Sequence, residues 1–234
     1  MKKDFTDIRN ALCNAMDTPM SKVVRSGSVG VLGVINPVAG VTSGVVNDIL
    51  EEYNIYKLSC LLKGLANGLN TETRVNELYT YIISSEQKAM IVANLFKQTI
   101  NAENPKVAVI YGLILANHMK DNTKFSYDEL IVCRALENAT DYDLNNFIII
   151  MEKYLKETKN GRRICFPKEL YNYDDFTVTC DWCVYNRVFV SHMPEWGEMD
   201  EGILELDTCY YVSKPAEVLL KYLYDARRVW DYDN

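Results

Sequence analysis

The chain has 234 residues, of which 48% are hydrophobic and 24% are charged. This length allows one large domain or two small ones, and this composition excludes general disorder because the chain can build a hydrophobic core. The 25 lysines and arginines stand against 32 aspartates and glutamates, so the net charge is −7. A strongly basic nucleic-acid-binding protein is therefore disfavoured.

The negative charge lies almost entirely in the last third of the chain. Residues 164–234 contain six basic and fourteen acidic residues, a net charge of −8, and residues 1–163 therefore carry +1. Such an asymmetry bears on binding partners and association rates rather than on the fold.

Cysteine usage and the first residues indicate the compartment. The seven cysteines are odd in number and irregular in spacing, which predicts reduced thiols rather than a disulfide framework. Residues 1–9 are mostly charged or polar and lack the apolar run of a secretory signal. Both features predict a cytoplasmic protein.

The first 47 residues combine a predicted helix at 4–16 with an uncharged segment, residues 26–47, which we call the apolar arm. The arm is nominally long enough to span a bilayer, and Gly40-x-x-x-Gly44 suits close helix packing. The central Asn36-Pro37 and the arm's five glycines favour packing on the rest of the protein or in a homo-oligomer instead. Four glycines are the candidate contacts of the arm: Gly30, Gly33, Gly40 and Gly44.

Residues 48–122 predict a compact bundle of four helices. Apolar residues at helical spacing place these helices at 48–66, 71–82, 86–101 and 105–119. The breaks between them carry Asn67-Gly68 and Asn104-Pro105, which are typical of helix ends.

Residues 123–234 form the third predicted part. Ser126 and Thr140 each precede an acidic residue by three positions, and this spacing predicts two capped helices within 123–158. A loop follows at 159–161. A strand is predicted at 203–212, and a helix with Pro215 in its first turn is predicted at 214–223.

The order of elements over residues 125–224 resembles a winged helix. Thr179–Val190 is similar to a third helix that runs into the first wing strand, and Tyr210–Leu220 is similar to the second wing strand with its closing helix. This resemblance implies a small α+β module, which in its DNA-binding form contacts phosphates. Here Asp181 lies on the third helix and the wing is acidic, so phosphates would be repelled. The resemblance therefore implies a module that binds protein.

Cys180-x-x-Cys183, with His192 and Cys209, could supply four zinc ligands. A second CxxC motif or a close histidine pair is missing, and two thiols on one helix face pack as small hydrophobes. We therefore predict no metal site.

The other candidates for chemistry also have structural interpretations. His118 and His192 lie far from any nucleophile turn, and His118 sits at the end of an apolar helix. The segment 27–33 is glycine-rich but lacks the Lys-Ser/Thr of a P-loop. Two acidic pairs lie at predicted helix starts, where carboxylates satisfy backbone N–H groups: Asp141 with Asp143 and Asp174 with Asp175. We predict no enzymatic activity and no cofactor.

Taken together, the sequence predicts a mainly α protein, with a helical bundle followed by a winged-helix-like α+β part. Its predicted function is that of a non-enzymatic regulator or inhibitor, of a kind found in phages or mobile elements, that binds a protein with a basic surface. An aromatic anchor within a charged rim predicts the contact surface. It comprises Glu195, Trp196, Glu198, Asp200 and Glu201.

Two alternatives remain open at this point. The first is a membrane-associated or pore-forming protein that acts through the apolar arm. The second is a DNA-binding regulator, which the charge disfavours. The corresponding division of the chain is 1–47, 48–122 and 123–234.

Overall fold

The computed structural model describes residues 44–67, 71–158, 161–166, 173–191 and 208–231. These residues are mostly helical, with eight helices and one antiparallel sheet of four strands. They form two compact units, the first of residues 44–124 with 228–231 and the second of residues 125–227. The predicted helix at 4–16 and residues 26–43 of the apolar arm lie outside the described residues.

The first unit contains four helices that follow one another closely, as the sequence predicts. They are α1 (Gly44–Ala66), α2 (Thr71–Ile83), α3 (Glu86–Asn101) and α4 (Pro105–Asp121). The first helix begins four residues before its predicted start, so that Gly44 of the apolar arm is its first residue. Asn104 caps α4 by accepting a hydrogen bond from the backbone N–H of Lys106, and Pro105 follows it in the first turn.

Two glycines allow the backbones of α1 and α4 to approach each other closely. A Cβ atom on Gly64 would lie 2.1 Å from the carbonyl oxygen of Val109, and one on Gly112 would lie 2.0 Å from that of Leu61. Both distances are far below van der Waals contact, so these two positions accept no side chain. The surrounding residues of both helices are fully buried, which makes this crossing the centre of the first core.

Two buried lysines tie the helix ends of the first unit together. Lys57 on α1 donates hydrogen bonds to the carbonyl oxygens of Ile100 and Ala102 at the end of α3. Lys88 on α3 donates to Oδ1 of Asn122, just beyond α4. Lys57 therefore satisfies two carbonyl oxygens at the end of α3, and Lys88 joins α3 to the residue that follows α4.

The second unit opens with two capped helices, α5 (Tyr127–Leu136) and α6 (Asp141–Lys153). The Ser126 hydroxyl accepts from the backbone N–H of Glu129, and the Glu129 carboxylate accepts from the backbone N–H of Ser126. Thr140 and Asp143 make the same reciprocal pair. The two predicted caps are thus confirmed, and Asp143 serves the helix start.

The sheet has the strand order β1-β2-β4-β3 and is antiparallel throughout. Its strands are β1 (Leu155–Thr158), β2 (Gly161–Phe166), β3 (Phe189–Ser191) and β4 (Thr208–Val212). Between β2 and β3 lies α7 (Tyr173–Tyr185), and α8 (Lys214–Asp231) follows β4.

The range predicted for the two helices, 123–158, extends too far toward the C-terminus. Helix α6 ends at Lys153, and the next residues form a hairpin of β1 and β2. Gly161 adopts φ = +114°, a conformation that glycine alone adopts readily, and so turns the chain back. Ile164 and Phe166 then fill the core face of the sheet, which outweighs the helical pattern of the preceding residues.

Aromatic rings form the core of the second unit. Phe147 of α6 stacks on Phe189 of β3 with ring centroids 5.7 Å apart, and Phe166 of β2 stacks on Phe176 of α7 at 5.9 Å. Tyr154 lies 5.1 Å from the Phe166 ring. This cluster fixes α7 against the sheet, and α7 carries the surface described next.

Candidate protein-binding groove

Most of the site residues predicted from the sequence lie outside the described residues. These are Glu195, Trp196, Glu198, Asp200 and Glu201 of the predicted contact surface, and Gly30, Gly33 and Gly40 of the apolar arm. Gly44 is described, as the first residue of α1. No helix in the described ranges is long and apolar enough to cross a membrane.

The CxxC motif lies on the inner side of α7. Cys180 and Cys183 are both fully buried, and this burial raises the pKa of each thiol well above its ordinary value. His192 and the side chain of Cys209 lie outside the described residues, and the described ones contain no cluster of three or more potential metal ligands. The two thiols act as small packed side chains and resist ionisation.

His118 has a structural place at the end of α4. It is buried, and its Nδ1 atom lies 2.8 Å from Oγ1 of Thr123. Its carbonyl oxygen also accepts a hydrogen bond from the backbone N–H of Thr123 at 3.0 Å. Both contacts fold the chain back over the helix end.

The outward face of α7 is a narrow stripe of exposed residues at helical spacing. Asp175, Val178, Asp181 and Tyr185 are all exposed and lie three, three and four positions apart. Val178 is 62% exposed and Tyr185 is 86% exposed, so the face presents one apolar and one aromatic side chain to solvent. We call these four residues the α7 stripe.

A groove adjoins the end of the α7 stripe, between α5 and the turn that follows α7. Its volume is about 200 Å³. Seven side chains line it: Tyr127, Leu130, Ile131, Arg134, Tyr185, Asn186 and Arg187. Tyr127 and Leu130 are 67% and 47% exposed, so the groove opens to solvent along α5.

The turn after α7 forms one wall of this groove and is held by hydrogen bonds. The backbone N–H of Val188 donates to the carbonyl of Cys183 at 2.7 Å, and that of Arg187 donates to Val184 at 3.0 Å. These two bonds define a Schellman motif, in which the left-handed position is Arg187. The Ser213 hydroxyl donates to the carbonyls of Arg187 and Val188 and fixes the turn to the start of α8.

Arg187 adopts φ = 62° at this position, where glycine is the usual residue. For a residue with a Cβ atom the left-handed conformation costs about 1–2 kcal/mol. The other described non-glycine residues with positive φ are Asn67 and Asn122, and asparagine tolerates this conformation well. Arg187 is therefore the one whose residue type suits its backbone least.

Among the residues that the structure describes, neither of the two arginines that line the groove forms an ion pair. Arg187 donates a 3.3 Å hydrogen bond to the hydroxyl of Tyr127, and Arg134 lies exposed at the end of α5. Acidic residues on the same helix are engaged elsewhere. Asp128 pairs with Lys214 at 3.4 Å, and Glu129 serves the α5 cap and accepts from the hydroxyl of Tyr222.

The groove combines two tyrosines and two arginines with two aliphatic side chains. Tyrosine and arginine are the residue types enriched at binding hot spots. Its volume is below the roughly 300–1,000 Å³ of pockets that hold a drug-sized molecule, and is closer to the space of one large side chain. Sequence reasoning missed this site because Tyr127 and Arg187 are 60 positions apart and meet only through the fold.

Comparison of the chain with protein-family models, curated proteins and solved structures finds no significant match.

Proposed function

We propose that the protein is a non-enzymatic cytoplasmic regulator or inhibitor that acts by binding another protein through its second unit. The observation that carries this proposal is the exposed α7 stripe, which ends at the tyrosine- and arginine-lined groove. Exposed apolar and aromatic residues on a rigid helix mark interaction surfaces, because they gain most when a partner removes them from water.

We further propose that the second unit is a variant winged helix. The order β2-β4-β3, with α7 before β3 and α8 after β4, supports this assignment. In this proposal residues 192–207 are the wing and α7 is the third helix. The added β1 strand, paired with β2, is a departure from the simplest form of that module.

The α7 stripe favours a protein ligand over DNA. In a DNA-binding winged helix the third helix meets phosphates, and cations are needed on its outward face. The stripe carries Asp175 and Asp181 and two uncharged residues instead. Carboxylates at this place would repel the DNA backbone, so the DNA-binding alternative is disfavoured.

The charge of the stripe also suggests the partner's character. Asp175 and Asp181 have the same sign as the acidic segment 195–201, which follows β3 in the chain. We propose that the stripe and this segment together meet a basic surface. Opposite charges on the two proteins would accelerate their encounter.

Affinity purification from the native cell tests the proposed function. We expect the wild-type protein to retain a specific partner and Val178→Asp to lose it, since a carboxylate replaces an exposed apolar contact. Met90→Asp is the matched control, because Met90 is also exposed (53%) but lies on α3 of the first unit. If all three proteins retain the same set of partners, the α7 stripe is not the binding surface.

A second variant, with four replacements, tests the acidic segment. Replacement of Glu195, Glu198, Asp200 and Glu201 by lysine reverses its charge. We expect this variant to lose the partner or to bind it at least tenfold more weakly. If this variant captures the same partner as the wild type, the acidic segment is not part of the contact surface, which is then limited to α7.

A further inference from the structure

We propose that the groove between α5 and the α7–β3 turn binds a short acidic peptide segment of a partner protein, with one apolar side chain seated in the pocket. This proposal rests on the proposed function, because it takes the ligand to be part of a protein. It adds a second site of opposite charge next to the acidic α7 stripe.

The first argument is charge complementarity. Arg134 and Arg187 border the groove, and among the described residues neither forms an ion pair. The carboxylates of the neighbouring residues Asp128 and Glu129 are committed to Lys214 and to the α5 cap. Guanidinium groups bind carboxylates in a two-pronged geometry, so two of them favour a segment with at least two acidic residues.

The second argument is the shape and lining of the pocket. Leu130, Ile131, Tyr127 and Tyr185 line an open groove with a volume of about 200 Å³. Such a space suits one leucine, phenylalanine or tryptophan side chain rather than a whole cofactor. The result is an apolar anchor point with a cationic rim, which matches a peptide of acidic residues around one apolar residue.

The third argument is the backbone of Arg187. The Schellman motif would form more readily with glycine, yet this position carries a long cation that points to the groove lining. Its side chain also holds Tyr127 in place through the 3.3 Å hydrogen bond. A strained residue at a surface site indicates a function for its side chain.

Peptide display on the intact protein tests the proposal. The probe is a library with one fixed central position, either leucine, phenylalanine or tryptophan, flanked by randomised positions. We expect selection on the wild-type protein to enrich aspartate and glutamate in the flanks at least severalfold over selection on an Arg134→Gln/Arg187→Gly variant. Equal acidic content in both pools, or enrichment of lysine and arginine on the wild type, would overturn the proposal.

Fluorescence anisotropy with the most enriched peptide then measures the contribution of each arginine. We expect Arg134→Gln and Arg187→Gly each to weaken binding about tenfold. Lys156→Gln, which removes one exposed positive charge on β1, is the control and should change the affinity less than twofold. An equal loss in all three variants would show a non-specific charge effect and contradict the proposed groove.

The two proposals can fail separately. Arg187→Gly is expected to fold at least as well as the wild type, because glycine suits a positive φ, so its loss of peptide binding cannot be assigned to unfolding. If acidic peptides bind the groove while Val178→Asp still captures every native partner, the groove stands and the α7 stripe fails. If Val178→Asp loses the partner while no acidic peptide is selected, the α7 stripe stands and the groove proposal fails.

Discussion

Helices α4 and α7, which belong to different units, end in the same backbone motif but use it for different purposes. In α4 the backbone N–H groups of Asn122 and Thr123 donate to Met119 and His118, and Asn122 adopts φ = 50°. In α7 the same two bonds form around Arg187 with φ = 62°. The left-handed residue is thus of a well-suited type in one unit and of a poorly suited type in the other.

The difference lies in what each side chain contacts. Asn122 is itself exposed, but its side chain accepts a hydrogen bond from the buried Lys88 and so joins the end of α4 to α3. Arg187 lines an exposed groove and bonds the hydroxyl of Tyr127. One turn therefore serves stability, and the other gives up some stability to present a cation at the surface.

The largest expected effect concerns the crossing of α1 and α4 at Gly64 and Gly112. The first unit is sensitive there to any added side-chain volume. Gly112→Ala would place a Cβ atom 2.0 Å from the Leu61 carbonyl oxygen, so α1 and α4 must separate. We expect a loss of about 3 kcal/mol or more in unfolding free energy. Urea unfolding, with amide hydrogen exchange of α1 and α4 as the local measurement, checks this.

Gly161→Ala is the matched control for the crossing. A Cβ atom at this position meets nothing within 4 Å, and only the φ of +114° opposes it. We expect a loss of about 1–2 kcal/mol from backbone strain alone. If Gly161→Ala were as destabilising as Gly112→Ala, steric overlap would not explain the sensitivity of the first unit.

A second prediction tests the hydrogen bond between Lys88 of α3 and Asn122 at the end of α4. Asn122→Gly keeps the left-handed turn but removes one of the two side-chain acceptors of the Lys88 ammonium group and leaves Oγ of Ser84 as the other. We expect it to lower the unfolding free energy by about 2 kcal/mol, since a buried charged donor loses a partner and the unfolded chain gains freedom. A double-mutant cycle with Lys88→Met should show that the two residues are coupled. Additive effects would contradict the role assigned to Asn122.

A third prediction concerns the thiols on the inner side of α7. Burial raises the pKa of Cys180 and Cys183, so both stay protonated in the folded state while the unfolded thiols ionise near their ordinary pKa of 9.0. The stability that they contribute is therefore fully present below pH 9 and is lost as pH rises further, by about 1 kcal/mol per thiol and pH unit. Unfolding of wild type and of Cys180→Ala/Cys183→Ala from pH 8 to 10 should show a steeper decline for the wild type. Parallel slopes would mean that these thiols ionise in the folded protein.

The smallest expected effect is an increase in the free energy of unfolding, and it concerns the turn at the end of α7. Arg187→Gly relieves the left-handed strain, and the greater freedom of glycine in the unfolded chain offsets part of this gain. We expect a net stabilisation of about 0.5 kcal/mol, measured by thermal unfolding. A destabilisation as large as that of Asn122→Gly would show that both turns serve packing and would remove the contrast between the two units.

The sequence predicts those elements that depend on local signals. Ser126 and Thr140 are recognised because a cap and its acidic partner lie three residues apart, and Pro105 marks the start of α4 in the same way. The β1–β2 hairpin escapes prediction because residues 155–158 continue a helical pattern, and only pairing with β2 makes them a strand.

The groove escapes prediction for a different reason. A Schellman motif is usually recognised by its glycine, and the α7 end has arginine instead. The two walls of the groove also come from distant parts of the chain, so no spacing rule joins them. Nothing in the sequence pattern pairs Arg187 with Arg134 and Tyr127.

The strand order of the sheet has a consequence for the continuity of the chain. Because β4 lies between β2 and β3, the sequence after residue 207 is bound on both sides by strands that come before residue 192. A cut within residues 192–207 would therefore yield two fragments that remain associated through both ladders and through Ser213. We expect two fragments divided within that segment and produced together to copurify as a complementing pair, with the α7 stripe and the groove on the larger fragment.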